Sequence, residues 1–402
     1  NNSDGYYKTT KFFVNPYIKI DFLKDFHLTS NFYYDHYRAE HLWHNSDYRE
    51  RFSFQRGETM NTPPTSDILE EYTVKSYYDG NQSWKNTTTL NWEHLFAKKH
   101  DVNVLLGYEE YRKWSRTTDI SKKGMLDTSL IDFDALTEPD YISGGSTEFS
   151  SRSWFGRVSY AYESRYLLEI NARYDGSSRF SPENRWGFFP SFSAGWRISE
   201  ESFMKGLSWL DNLKLRVSWG QLGNNSIGNY EWQATYNTAP HYSFGGLEVP
   251  GIGMGSFANY NLEWETTTVT NVGIDFTALK NRFSGTLEFY NKLTDGILYN
   301  PTLSPTLSGF GSPRQNIAEV TNRGVELTLS WNDRIRDFSY SISGNFSYNK
   351  NEVTKYKGKL ERGWSQNTYY TNIGEVSTGT LQRIVEGHMI NEFYVLNIYN
   401  GD

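Results

Sequence analysis

The 402-residue chain contains no cysteine. That excludes a disulfide framework and thiolate metal sites, and it leaves the compartment open. No apolar run approaches the roughly 18 residues of a membrane-crossing helix. Helical spans are therefore excluded, whereas strands are not, because a membrane strand carries its apolar residues at every second position. Excess basic charge is also missing: 40 Lys and Arg against 47 Asp and Glu give a net charge of -7. Such a chain shows no sign of nucleic-acid binding. The opening NNSDGYYKTT lacks the basic flank and apolar stretch of a signal peptide.

Hydrophobic residues make up 37% and the mean hydropathy is -0.68, low for a globular domain. By these measures the chain is soluble or loosely folded. Its aromatics argue otherwise. The 30 Tyr, 25 Phe and 13 Trp amount to 17%, and disordered chains are poor in such residues. Together with 33 Gly, this points to an all-β protein.

Period-two alternation runs along the whole chain. In YLLEINARYD (166–175), Tyr166, Leu168, Ile170, Ala172 and Tyr174 share one face, and Glu169, Asn171, Arg173 and Asp175 the other. Comparable segments cover 26–38, 84–96, 101–112, 154–162, 187–198, 213–219, 268–278, 283–289, 325–331 and 338–348. No 3.6-residue pattern competes over such lengths, and the one helix expected is a short one at 200–205. Many segments run about 9–13 residues, against about 5–6 for strands of soluble proteins and about 9–11 for membrane strands. Aromatics gather near segment ends, at Tyr166, Tyr174, Trp196, Trp219, Trp331 and Tyr348, as in the girdles at bilayer interfaces.

Links alternate in length. Short ones at 23–25, 97–101, 163–165, 279–281 and 332–337 alternate with long ones at roughly 39–82, 115–148, 176–186, 221–262 and 296–316. The link at 199–211 is intermediate. Short turns on one rim and long loops on the other is the plan of an outer-membrane barrel. One alternating strand alone would read as part of a soluble β-sandwich; a dozen in series, with charged second faces, reverse that reading. Leu168, Ile170, Ile274, Phe276, Leu327 and Ile342 are then expected to face lipid, with the polar rows facing a wet, plugged lumen.

The run NARYDGSSRFSPENRWGFFPSFSAGWRISEESFM (171–204) resembles the outer-membrane transporters of the SusC/RagA type of Bacteroidetes. So do LKLRVSWGQLGNNSIGNY (213–230), LEWETTTVTNVGIDFTALKNRFSGTLEFYNKLTDGIL (262–298) and VTNRGVELTLSWN (320–332), in the family's order and spacing. The resemblance is strong over about 150–332. It implies an antiparallel transmembrane β-barrel, of which residues 1–402 form part of a single barrel domain. About 12–14 strands are counted, whereas transporters of this architecture have 22. The plug domain, the TonB box and the final strands that the family carries are not visible in the chain. The implied function is active import of oligosaccharides or peptides across the outer membrane, with a SusD-like surface lipoprotein as lid and energy supplied through TonB. No enzymatic activity and no cofactor is implied. The alternative is a soluble secreted all-β protein, carbohydrate-binding or carbohydrate-active. Coordinates that bury the apolar rows inside a compact body would favour it.

Few residues suggest chemistry. His41 and His44 have a metal-like spacing without a third ligand, and read as a solvated loop pair. Asp132 with Asp134, and Glu109 with Glu110, are candidate carboxylate pairs for acid–base work. Adjacent strand residues point to opposite faces, so the two glutamates cannot converge. GIGMGS (251–256) has no strand-to-helix switch around it and reads as a flexible loop rather than a phosphate cradle. Arg173, Asp175, Arg179, Arg185 and Trp186, in the family's motif, read as an ion-pair and turn network fixing an outer hairpin, with substrate contact at the lumen mouth as the second reading. Trp232, Tyr242, Trp364, Tyr369 and Tyr370 are loop aromatics that could stack on a sugar ring or clamp a peptide.

Overall fold

The computed structural model describes residues 3–45, 73–125, 132–238, 241–300, 312–357, 363–371, 374–382 and 386–390. Its strands are β1 (Ser3–Val14), β2 (Tyr17–Phe22), β3 (Phe26–Asn45), β4 (Thr73–Phe96), β5 (His100–Met125), β6 (Leu136–Tyr162), β7 (Tyr166–Ser177), β8 (Trp186–Arg197) and β9 (Leu210–Asn224). Short strands follow: β10 (Thr235–Asn237), β11 (His241–Phe244), β12 (Leu247–Pro250) and β13 (Gly253–Ser256). Then come β14 (Glu265–Ala278), β15 (Phe283–Tyr299), β16 (Gln315–Ile335), β17 (Phe338–Tyr356), β18 (Gly363–Thr371) and β19 (Gly374–Gln382). Thirteen of these form one sheet in the order β1-β3-β4-β5-β6-β7-β8-β9-β14-β15-β16-β17, with β2 also paired to β3.

Two units divide the chain. One comprises Asn1–Lys19, Thr29–Thr88 and Glu109–Ser151. In it β1 runs antiparallel to β3 from Ser3↔Asn45 to Val14↔Tyr34. Pro16 lacks an N–H and interrupts the edge strand, a position where proline is tolerated. Its carbonyl still accepts the Phe32 N–H at 3.0 Å. A small apolar cluster of Val74 and Leu136, with Leu42 and Phe133, sits at the long-loop end of this unit.

The other unit comprises Ile20–Leu28, Thr89–Tyr108 and Arg152–Asp402, and carries the family-like motifs. Its registers place Leu168, Ala194, Val217, Val272, Phe289, Val325 and Tyr348 in one lateral row across seven strands. The neighbouring row on the opposite face reads Glu169, Ser193, Ser218, Asn271, Tyr290, Gly324 and Asn349. The apolar row is the exposed one: Leu168 is 42%, Phe289 54% and Tyr348 59% accessible. From Glu169 to Tyr290 the polar row is half-buried. A soluble body would have these exposures reversed. Of the residues expected to face lipid, Leu168, Ile170, Ile274 and Ile342 are exposed, and Phe276 and Leu327 lie half-buried on the same face.

The turns explain how long strands reverse tightly. Ala97 (φ 48°) and Lys98 (φ 61°), Glu163 (48°) and Ser164 (54°), and Leu23 (49°) and Lys24 (62°) are consecutive left-handed residues. Lys99 N–H donates to the Phe96 carbonyl at 3.0 Å and Arg165 N–H to that of Tyr162 at 2.9 Å. Positive φ at both central positions marks the type I′ turn, whose twist matches that of paired strands.

Several sequence expectations need correction. The helix expected at 200–205 is only a 3-10 turn at Ile198–Glu200, followed by further turns; the segment is too short to repay helix nucleation. Strands are longer than periodicity indicated, reaching 27 residues in β6. Residues 39–45 and 73–82 of one expected link and 115–125 and 136–148 of another are therefore strand, since polar residues on both faces erase alternation without ending the ladder. His41 and His44 lie on β3 rather than a loop, and His44 is only 8% exposed. Part of GIGMGS is β13, paired with β10.

In an outer-membrane insertion assay, Leu168→Arg should impair assembly, costing up to about 2–4 kcal/mol near the bilayer centre. Glu169→Gln, one residue on and facing the other way, should assemble normally. Equal assembly of the two variants would contradict the assigned faces.

Candidate functional site

The polar face of the second unit is held by cross-strand networks. Arg216 on β9 donates Nε to Asp275 Oδ2 at 2.6 Å and Nη2 to Asp275 Oδ1 at 3.0 Å, and its Nη2 also reaches Glu288 Oε1 on β15 at 2.5 Å. The Thr286 hydroxyl donates to Asp275 at 3.2 Å and the Asn271 amide to Glu288 at 3.3 Å. Ser159 and Asn171 both donate to Glu169, at 3.1 and 3.0 Å. Arg216 spans two strand spacings because Gly273 lies between it and Glu288, paired to Arg216 on one side and Glu288 on the other. A Cβ at Gly273 would stand 3.0 Å from Arg216 Nη2. Gly324 plays the same part for Tyr290, whose hydroxyl donates to Asn349 Oδ1 at 3.2 Å; a Cβ there would meet the Tyr290 ring at 2.4 Å. These glycines are notches across which a long side chain braces three strands. The Arg216 groups are about a third exposed, so such a pair contributes on the order of 1 kcal/mol or less.

At the long-loop end the 176–186 hairpin is tied to the 225–264 segment. Phe180, Ile227 and Leu262 form a buried cluster with Trp232, Trp264 and Leu298 packed against it. Phe180 and Leu262 are 0% exposed. Arg179 donates to the Asn225 carbonyl at 2.9 Å and to Asn229 Oδ1 at 3.2 Å. The Arg185 carbonyl accepts the Trp264 indole N–H at 3.1 Å and the Ser177 N–H at 3.1 Å. Arg173 grips Asp175 through Nε at 3.2 Å and Nη2 at 2.9 Å, and Trp186 stacks on Tyr174 with centroids 4.9 Å apart. Each of the five motif residues is thus engaged within the protein, through a side chain or, for Arg185, its carbonyl.

The loop aromatics fall into different places. Trp232 packs on the buried cluster and against Tyr260, with ring centroids 5.8 Å apart. Tyr242 is 54% exposed on β11. It shares one face of the β11–β12 hairpin with Phe244, Leu247 and Val249, by the pairs Tyr242↔Val249 and Phe244↔Leu247. Trp364, Tyr369 and Tyr370 lie on β18, and their side chains lie outside the described residues. Asp132 precedes and Asp134 lies within the 3-10 turn Phe133–Ala135, both exposed, and Glu109 accepts from Thr87 at 3.0 Å. Among the described residues no cluster of three or more His, Asp or Glu is arranged to hold a metal.

The short-turn rim is stitched by charge. Glu201, 9% exposed, accepts from the Tyr166 hydroxyl at 2.5 Å, the Trp196 indole at 3.1 Å and Arg165 at 3.3 Å. Arg165 also pairs with Glu163, which takes Lys99 at 2.6 Å. Sequence reasoning missed Arg216, Asp275, Glu288 and Glu201. The short turn at 279–281 would have set Asp275 opposite Thr286 by counting, but no short turn joins β9 to β14.

Phe180→Ala should cost about 3–5 kcal/mol, the usual range for a buried ring, and loosen the loops. The check is protease sensitivity of 176–186 and 225–264 in the full-length protein. The Tyr166 hydroxyl, the Trp196 indole and Arg165 hold the Glu201 carboxyl below its ordinary value of 4.5. A depressed carboxylate contributes stability that is fully present above about 4.5 and lost as pH falls through the folded value. Thermal unfolding of the protein in detergent should therefore drop more steeply below that pH than in Glu201→Gln.

Residues 1–384 match the family described as TonB dependent receptor-like, beta-barrel. A TonB-dependent receptor of Formosa agariphila is 35% identical over 305 residues, 75% of this chain and 28% of that protein. The TonB-dependent receptor SusC of Bacteroides thetaiotaomicron is 37% identical over 253 residues, 60% of this chain and 24% of that protein. The chain thus spans about a quarter of the length of these relatives. The solved RagAB peptide transporter aligns over 94% of this chain and 40% of its own, with a TM-score of 0.79 and 25% identity. The family is one of receptors and transporters rather than enzymes. The chain belongs to the TonB-dependent receptor β-barrel family, as part of an outer-membrane barrel of the SusC/RagA type.

Proposed function

We propose that the full-length protein is an active importer of the outer membrane that takes up oligosaccharides or peptides, works with a SusD-like surface lipoprotein, and draws its energy through TonB. Ligand is captured by the long loops under the lipoprotein lid. TonB then pulls on the plug and a path opens along the polar wall, with no bond of the cargo changed. The observation that carries this reading is the inverted sheet: apolar rows outward, and Glu169, Ser193, Ser218, Asn271 and Tyr290 aligned on the other face. Such a face suits a hydrated passage. Peptide as cargo is supported by the RagAB likeness, and stacking on a sugar by the loop rings. Tyr242, on its exposed hairpin, is the first ligand-contacting candidate, with Trp364, Tyr369 and Tyr370 on β18. Trp232 supports the loop beneath. Substrate contact by Arg173, Asp175, Arg179, Arg185 or Trp186 would have to compete with the bonds they already make.

The test is uptake of labelled oligosaccharide and peptide mixtures by cells carrying or lacking the gene. Uptake should need the gene and stop when the proton gradient of the inner membrane is collapsed. Tyr242→Ala should weaken ligand binding about fivefold, equivalent to about 1 kcal/mol for a lost aromatic contact. Uptake indifferent to the gradient would overturn active import.

A further inference from the structure

Four of the five short turns of the second unit share a tip, the exception being Glu163–Ser164. Leu23 precedes Lys24, Ala97 precedes Lys98, Leu279 precedes Lys280, and Ile335 precedes Arg336. The four basic residues have φ of 62°, 61°, 60° and 57°. Such left-handed positions favour Gly or Asn, and another L-residue there costs roughly 1–2 kcal/mol. Turn chemistry alone therefore gives no reason for a cation at four tips.

Their surroundings do. Four basic residues just inside the rim are paired: Lys99 to Glu163 at 2.6 Å, Arg165 to Glu201 at 3.3 Å, Arg197 to Glu200 at 3.4 Å and Arg282 to Asp333 at 3.4 Å. Lys24, Lys98, Lys280 and Arg336 are exposed, and among the described residues their side chains form no ion pair. The apolar companions are exposed too, Leu23 by 77% and Ile335 by 62%. Immediately above runs a belt of rings. Phe22 stacks on Phe26 at 5.5 Å, Trp92 contacts Phe26 at 6.3 Å and Phe96 at 6.0 Å, and Tyr166 stacks on Trp196 at 6.5 Å. Phe283 contacts Phe276 at 5.3 Å and Trp331 at 6.2 Å. Such belts lie at headgroup level. Phe22, Phe96 and Phe283 are one to three residues from a tip, within about 10 Å at the rise of a strand. The tip cations therefore lie within about 10 Å of headgroup level, each beside an apolar group.

We propose that this rim is a binding surface for anionic phospholipid headgroups, with Lys24, Lys98, Lys280 and Arg336 taking the phosphates and Leu23, Leu279 and Ile335 dipping into the acyl boundary. It rests on the outer-membrane placement, with the short turns on the periplasmic, phospholipid leaflet. The chain as a whole is acidic, at -7, so the preference is local to the rim.

The experiment uses the full-length transporter in nanodiscs of mixed phosphatidylglycerol and phosphatidylcholine. Native mass spectrometry reads the ratio of the two lipids retained. Wild type should enrich phosphatidylglycerol, and 0.5 M salt should reduce the enrichment. Lys24→Asn, Lys98→Asn, Lys280→Asn and Arg336→Asn together should abolish it. Each cation is expected to account for up to about fivefold, the factor that about 1 kcal/mol supplies. Asn accepts the left-handed backbone, so the variant folds; Lys24→Arg, Lys98→Arg and Lys280→Arg together should keep the enrichment. Unchanged enrichment in the Asn variant would overturn the proposal. So would full competition by millimolar inorganic phosphate, which would mark a phosphate site without lipid. Enrichment kept while import is lost would likewise overturn it, in favour of a protein partner at the rim. Loss of wild-type import with the lipid ratio intact would instead strike the import reading alone.

Discussion

Backbone N–H and C=O groups in hydrocarbon have no water to bond, so each must find a partner in the chain. The rest of this structure depends on that constraint. It makes the ladder continuous from β7 to β17 through long antiparallel registers, and it lets side chains sort by solvent afterwards. Hydrocarbon on one side and water on the other give the row from Leu168 to Tyr348 and its polar neighbour. The low mean hydropathy is a consequence: half the strand residues never need to be apolar.

A sheet sorted this way has no thick oily core, so rigidity comes from other devices. On the polar face, Arg216 and Tyr290 reach across Gly273 and Gly324 to brace three strands each. Beyond the strands, Phe180, Ile227 and Leu262 make a compact apolar cluster between loops. The arginines of the motif's hairpin serve that cluster: Arg179 satisfies the carbonyl of Asn225, and the Arg185 carbonyl takes the indole of Trp264. The loops near this cluster form a fixed base, from which the β11–β12 hairpin presents Tyr242 and Phe244 to the outside.

The two rims divide the labour. The long-loop rim exposes rings such as Tyr242 and Phe244. The short-turn rim is charged, with paired ions inside and lone cations at the tips, below a belt of rings. The left-handed strain at Lys24, Lys98 and Lys280 is affordable because each turn closes an antiparallel strand pair whose ladder bonds outweigh it.

Much of this was legible in the sequence. Alternation such as Tyr166 to Asp175 determined strands, their faces and the inverted sorting, because side-chain direction in a strand follows from position alone. Short turns determined the registers of hairpins such as β14–β15, where counting back from 279–281 pairs Asp275 with Thr286. Strand ends were not legible at 39–45 or 115–125, since hydrogen bonding continues where alternation fades. Nor was the fate of Trp232, which reads as a free loop ring and packs under Tyr260. The expected helix at 200–205 gave way to turns that carry Glu201 back to Tyr166 and Trp196. What only the tertiary structure decided is which distant strands and loops meet: Arg216 with Glu288, Phe180 with Leu262. Those contacts join segments separated by about 40-residue or longer stretches of chain, and sequence spacing carries no information about how such a stretch returns.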